Sequence, residues 1–357
     1  MCFVDEILTT NRQSVRAHQE AASRELQPAD AAAEVSWQQA MRLAVRDSAE
    51  LCRRLKLPES LGNTAAAESF PVFVPLEFLS RMQAGDRSDP LLKQVLAASE
   101  EVSPVEGFVA DPLAEASAST LPGLLHKYPG RALLVTTGAC AIHCRYCFRR
   151  HFPYDEVPKG AAAWQPAVDR IAADDSIQEV LLSGGDPLTL VDPLLARLVA
   201  SLDAIPHVRR IRVHTRLPIV IPQRITQSLI EIFRSARATT WFVVHCNHAA
   251  ELDSATLASL GRLIDAGIPV LNQAVLLRGV NDSLEALERL SLRLVDHRIQ
   301  PYYLHQLDRV AGAAHFEVSE ATGLRLVEQL RGRIPGYAMP QYVREIPHQA
   351  SKLPVVY

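Results

Sequence analysis

Between residues 140 and 147 the chain reads Cys140-Ala-Ile-His143-Cys144-Arg-Tyr146-Cys147, three thiols in a CxxxCxxC spacing directly after the apolar, strand-like run Arg131–Thr137. Cysteine thiolates hold iron–sulfur clusters, and a four-iron cubane normally takes four of them. Three leave one iron open to a small chelating molecule. Zinc sites more often show two CxxC pairs, or one CxxC with a distant pair of histidines. No second pair exists here, because Cys2, Cys52 and Cys246 are scattered. Two other readings stand beside the cluster: zinc with His143 or His151 as fourth ligand, and a loop of buried small thiols, since free Cys is among the most buried residue types.

The elements that must position this loop follow from hydrophobic periodicity. After residue 130 short apolar runs alternate with amphipathic stretches. Strands are expected near Ala132–Thr137, Glu179–Ser183, Arg210–His214, Trp241–Cys246, Pro269–Val275 and Pro301–His305. Helices are expected near Ala161–Ala173, Pro193–Ala204, Gln223–Ala236, Leu252–Ala266, Ser283–His297 and Val318–Arg331. Six βα units in series predict an α/β fold with a parallel sheet and helices outside it, two units short of a full barrel and therefore open. Before residue 130 the chain reads as helical and interrupted: Val35–Lys56 has helical spacing, and Pro71-Val-Phe-Val-Pro75 breaks the pattern before Leu76–Met82 resumes it. In barrels of this kind chemistry sits at the carboxyl ends of the strands. The cysteine loop, Ser183-Gly184-Gly185-Asp186-Pro187, His214-Thr215-Arg216, His245-Cys246-Asn247-His248, Asn272-Gln273 and His305-Gln306-Leu307-Asp308 all fall there.

Composition removes several function classes. A net charge of -3 gives no footprint for nucleic acid or an anionic membrane. Met1-Cys2-Phe3-Val4-Asp5-Glu6 places acids where a signal peptide needs a basic region. No apolar run approaches the ~20 residues of a membrane span. Cysteines without an export signal suggest the reducing cytoplasm, where thiolates are free to bind metal.

Gly184 and Gly185 let the backbone turn and approach a ligand without a Cβ in the way. With the CxxxCxxC loop and Tyr146 before its last Cys, this segment resembles the radical S-adenosylmethionine (SAM) enzymes. The resemblance implies that Ser183, Gly184, Gly185 and Asp186 bind the amino group of SAM and that Cys140, Cys144 and Cys147 hold a 4Fe-4S cluster. Five ordered motifs narrow it further: CAIHCRYCFRRHFP (140–153), SGGDPL (183–188), LPIVIPQRIT (217–226), NQAVLLRGVND (272–282) and Ser351-Lys352-Leu353-Pro354. From about Leu121 to the end the chain is similar to the lysine 2,3-aminomutase family. Its CRYCFRRHFPY run and short tail are closest to the branch that makes β-lysine for modification of elongation factor P. Ser283 stands where longer members have a Cys, and the cysteine-bearing, zinc-binding tail of those members is missing, which argues against structural zinc.

The resemblance implies a partial (β/α)6 radical SAM barrel over 126–333, an N-terminal, mainly helical segment over 1–125 and a C-terminal extension over 334–357. It also implies pyridoxal 5′-phosphate (PLP), which needs an amine for attachment. Of the five lysines, Lys56, Lys93, Lys127, Lys159 and Lys352, the last matches the family's PLP lysine. By the same carry-over Arg131 and Lys127 bind the PLP phosphate, Lys127 standing where longer members have Arg. Arg149 binds the lysine α-carboxylate, and Asp308 and Glu345, the latter Glu where the family has Asp, bind its ε-ammonium. The expected reaction is an isomerisation in which a radical made from SAM removes a hydrogen from the β-carbon of lysine and nitrogen migrates across a bond supplied by PLP. Two alternatives remain: a glutamate 2,3-aminomutase, and a radical SAM maturase without PLP. Expected partners are the small-molecule substrate lysine, an electron donor and, through a separate ligase, the elongation factor P pathway. A homo-oligomer is left open.

Overall fold

The computed structural model describes residues 35–356, so Cys2 and the acidic Met1–Glu6 stretch lie outside the described residues. Ten strands form one sheet in chain order: β1 (Ser119–Leu121), β2 (Leu124–Tyr128), β3 (Arg131–Thr137), β4 (Glu179–Gly184), β5 (Arg210–Thr215), β6 (Thr239–His245), β7 (Val270–Val275), β8 (Gln300–His305), β9 (Gln341–Arg344) and β10 (Leu353–Pro354). Strands β3 to β9 pair with one another in parallel. The pairs β1–β2, β2–β3 and β9–β10 are antiparallel. Among the described residues β10 does not return to β1, so the barrel is open. Parallel strands buried on both faces need continuous apolar runs, which Val180–Leu182 and Phe242–Val244 supply.

The crossover helices start where short polar side chains satisfy the first free backbone N–H groups. Thr226 accepts from Leu229 N for helix Gln227–Arg234, and Asp253 from Thr256 N for Ser254–Asp265. Ser283 does the same for Leu284–Val295 and Ser319 for Glu320–Arg331. Helices Ala161–Ala172 and Asp192–Asp203 complete the outer layer. The Gly184-Gly185 segment and the other mouth loops are thereby fixed between rigid elements.

Three differences from the sequence reading have local causes. Val35–Lys56 is two short helices, Trp37–Leu43 and Ser48–Arg54, because Val45 between them pairs in an extended bridge with Val74 and Asp47 caps the second helix. The expected helix at Gln223 begins at Gln227, after a separate turn at Pro222–Arg224. A seventh parallel strand, β9, lies in the C-terminal extension, with Tyr342 and Val343 buried, and leads directly to Glu345.

The N-terminal helices share one core with the barrel. Arg224, from the LPIVIPQRIT motif, is buried beneath Trp37 with its guanidinium 4.7 Å from the indole ring, and donates to Leu188 O at 2.6 Å. Arg81 pairs with Asp253 at 2.9 Å and donates to the carbonyls of Ile219 and Glu251. Among the described residues no helix is long and apolar enough to cross a membrane.

Candidate active site

Tight backbone bonding holds the cysteine loop against the N-terminal segment. His143 N donates to Phe73 O at 3.1 Å and Arg145 N to Gln94 O at 2.9 Å. Arg145, fully buried, and Arg150 share the carboxylate of Glu101 at 2.6 and 2.8 Å, so neither is a surface charge. His143 and His151, the alternative zinc ligands, are both tied to backbone carbonyls, His143 Nδ1 to Pro71 O at 2.7 Å and His151 Nε2 to Ala311 O at 3.1 Å. Behind the loop, Arg216 donates to Cys144 Sγ and to the Tyr146 hydroxyl, both at 2.6 Å, and pairs with Glu251 at 3.0 Å.

The three thiols face one cavity. Burial, followed by the neighbouring thiols, pushes Cys140 well above the ordinary thiol range and Cys147 up to about 12. Such thiols ionise only against a strong local positive charge, which bound iron provides. Three thiols of one loop lining one cavity are a donor set that a cluster can take. Cys52 and Cys246 sit in the main hydrophobic core.

Gly184 and Gly185 serve the packing of loop on loop. Gly184 has φ +127, and a Cβ there would lie 2.5 Å from Thr137 O; one on Gly185 would strike Ala139 O. Gly185 N donates to Thr137 O and Asp186 N to Ala139 O, both at 2.7 Å, so this turn sets the backbone just ahead of Cys140. The Asp186 carboxylate accepts from Thr215 Oγ1 and from the backbone N–H of Leu188, Arg216 and Leu217. Its backbone is committed as well, the carbonyl accepting from Thr189 N at 3.0 Å and Thr189 Oγ1 at 2.8 Å, so Asp186 locks the turn that carries Ser183–Gly185.

The far end of the cavity is charged. Lys352 forms an ion pair with Glu345, whose other oxygen receives Lys127 at 2.5 Å and the Tyr128 hydroxyl at 2.8 Å. Burial alone would raise Glu345, but Lys352 and Lys127 hold it well below the usual carboxylate range. Arg131 lies 4.8 Å over the Tyr128 ring, and its buried Nε has no hydrogen-bond partner among the described residues. Asp308, at the end of β8, is pushed up to about 7 by burial, with Lys352 pulling the other way. A primary amine with Arg131 and Lys127 lining the same cavity fits PLP, which needs an amine for attachment and cations for its phosphate.

One cavity of about 530 Å³ joins the two ends, reaching from Cys140, Cys144 and Cys147 past Ser183–Asp186 and Arg149 to Lys127, Arg131, Asp308, Glu345 and Lys352. The residues that the resemblance assigned to cofactors or substrate all line it, whereas His151, His248 and Asn272 do not. Sequence reading left His214 and His305 without a role. Burial, then neighbouring cations, drives His214 well below the ordinary imidazole range, and its Nε2 is buried without a partner; burial and Lys352 bring His305 down to about 3. His245 lies 2.8 Å from the Tyr146 hydroxyl, and His248 caps the turn at Ala249–Glu251. Tyr128 and Glu115 were missed altogether; Tyr128 alone carried a signal, between two cations on adjoining strands.

The family described as a 4Fe-4S single cluster domain matches residues 129–213. The L-lysine 2,3-aminomutase of Escherichia coli (strain K12) is 44% identical over 322 residues, 89% of this chain and 94% of that protein. That of Haemophilus influenzae is 43% identical over 321 residues, covering 89% and 95%. That of Clostridium subterminale is 34% identical over 330 residues, covering 90% and 77%.

Proposed function

This chain belongs to the L-lysine 2,3-aminomutase family, and from that premise we propose that it is an isomerase moving the α-amino group of L-lysine to the β-carbon, with a 4Fe-4S cluster, SAM and PLP as cofactors. The observation that supports this reading is one cavity lined both by the three thiols and by Lys352. When bound, the reduced cluster with SAM supplies a hydrogen-abstracting radical and PLP the π-bond across which nitrogen migrates.

The protein's own residues bind and orient. Cys140, Cys144 and Cys147 ligate three irons, and the backbone of Ser183–Asp186 flanks the amino group of SAM. Lys352 attaches PLP, while Arg131 and Lys127 provide positive charge for its phosphate. Arg149 receives the substrate carboxylate with the paired N–H geometry of a guanidinium. Asp308 and Glu345 receive the ε-ammonium, which has to be paired when taken out of water. Two acids at that end oppose a substrate side chain ending in a carboxylate, which favours lysine over glutamate. In working parts, of the N-terminal segment 1–125 the stretch around Phe73, Gln94 and Glu101 braces the cysteine loop, 126–333 form the barrel and 334–357 carry Lys352. The β-lysine serves elongation factor P in the cytoplasm through a separate ligase.

An absorption spectrum of anaerobically purified protein tests the cofactor set. Broad iron–sulfur absorption together with a PLP band is expected. Cluster absorption alone after incubation with PLP identifies a maturase instead.

A further inference from the structure

Glu115 belongs to no motif, yet it lines the cavity. It arrives on a strap across the barrel mouth, tied down where Val109 N donates to Arg309 O at 3.0 Å and Ala311 N to Val109 O at 2.9 Å. Asp111 caps the turn by accepting from Glu115 N at 3.0 Å. Ala114 has φ 51, a left-handed conformation that is uncommon for a residue with a Cβ, and the strap turns there to send Glu115 inward. Local strain of this kind collects at functional sites.

Glu115 and Arg149 are 7% and 6% exposed. The carboxylate takes one edge of the guanidinium, with Nε and Nη2 each donating at 2.7 Å, and Nη1 donates to Ser183 Oγ at 3.0 Å. A guanidinium carries five N–H groups in a rigid fork. Those bonds leave one hydrogen on each terminal nitrogen, the number a second carboxylate needs.

We propose that Glu115 is a positioning residue for substrate: it fixes one edge of Arg149 so that the remaining N–H groups are presented to the α-carboxylate of lysine. The proposal rests on the assignment of Arg149 to that carboxylate. A free arginine side chain samples many rotamers, and fixing it beforehand removes that cost from binding.

The test compares lysine with 1,5-diaminopentane, its decarboxylated counterpart, in protein carrying cluster and PLP, by titrating the change each causes in the PLP absorption band. Glu115→Gln keeps the shape and removes the charge. It is expected to weaken lysine about tenfold and leave the diamine unchanged. Glu115→Asp, which keeps the charge but withdraws it by one methylene, gives a smaller loss of the same kind and serves if the Gln variant does not fold. Arg149→Lys is the control and also loses lysine selectively. Equal effects of Glu115→Gln on both ligands, or none on either, with Arg149→Lys still selective, overturn the positioning role alone. Failure of Arg149→Lys to discriminate overturns the Arg149 assignment and the proposal with it.

Discussion

At one end of the cavity three thiols come from a single loop, Cys140–Cys147, whose backbone is bonded to Phe73 and Gln94 on the N-terminal segment. At the other end Lys127, Asp308, Glu345 and Lys352 come from β2, the end of β8, the end of β9 and the approach to β10, and what holds Lys127 and Lys352 there is the carboxylate of Glu345. The first end is pre-formed by hydrogen bonds between the loop and its neighbours. The second is a set of compensating charges, so removing any one of them leaves its partners buried and unpaired.

The contrast predicts all-or-none behaviour at the cysteine end. Cys140→Ala, Cys144→Ala and Cys147→Ala are each expected to lose iron and activity together, whereas Cys52→Ala and Cys246→Ala keep full iron content. Iron analysis after anaerobic reconstitution decides it, and full occupancy without Cys144 breaks the assignment. Lys352→Ala is expected to abolish turnover while keeping the iron–sulfur absorption. Borohydride reduction and peptide mapping should place the pyridoxyl group on Lys352 in the parent chain.

Smaller, graded losses are expected where charge is shared. Asp308→Asn and Glu345→Gln should each lower kcat/KM for lysine by about a hundredfold, ~3 kcal/mol of lost binding, with both cofactors retained by spectrum. Glu345→Gln also strips the counter-charge from Lys127 and Lys352, so it is the more damaging of the two. The smallest effect concerns pH. Asp308 must be ionised to pair with an ammonium, and burial has raised it to about 7. The acid form therefore grows as pH falls through that value, and kcat/KM, which reports the free enzyme, should fall by up to about tenfold per unit below it. In Asp308→Asn that limb of the profile should vanish.

The same contrast explains what could be read from the sequence. The cysteine spacing and the Ser183–Pro187 turn are local patterns, so their place at the ends of β3 and β4 was legible, as were the strands β3 to β8, whose apolar runs are long. The glycines carry a packing role that the sequence did not show, because the backbone they accommodate, Thr137 O and Ala139 O, belongs to a different loop. Strand β9 is a four-residue run with one apolar pair and carries little periodicity. Lys352, Asp308 and Glu345 were named only through resemblance, since their meeting is tertiary. Tyr128 and Glu115 escaped for the same reason: each acts through a partner far along the chain, Glu345 and Arg149.

The central claim is that the two ends of one cavity together isomerise lysine. Anaerobic incubation with dithionite, SAM and PLP, offering L-lysine and L-glutamate in separate reactions and resolving the products by chromatography, tests it most directly. The account predicts β-lysine from lysine and no β-glutamate. Isomerisation of glutamate with lysine untouched would contradict the assignment of Asp308 and Glu345 and of the substrate itself.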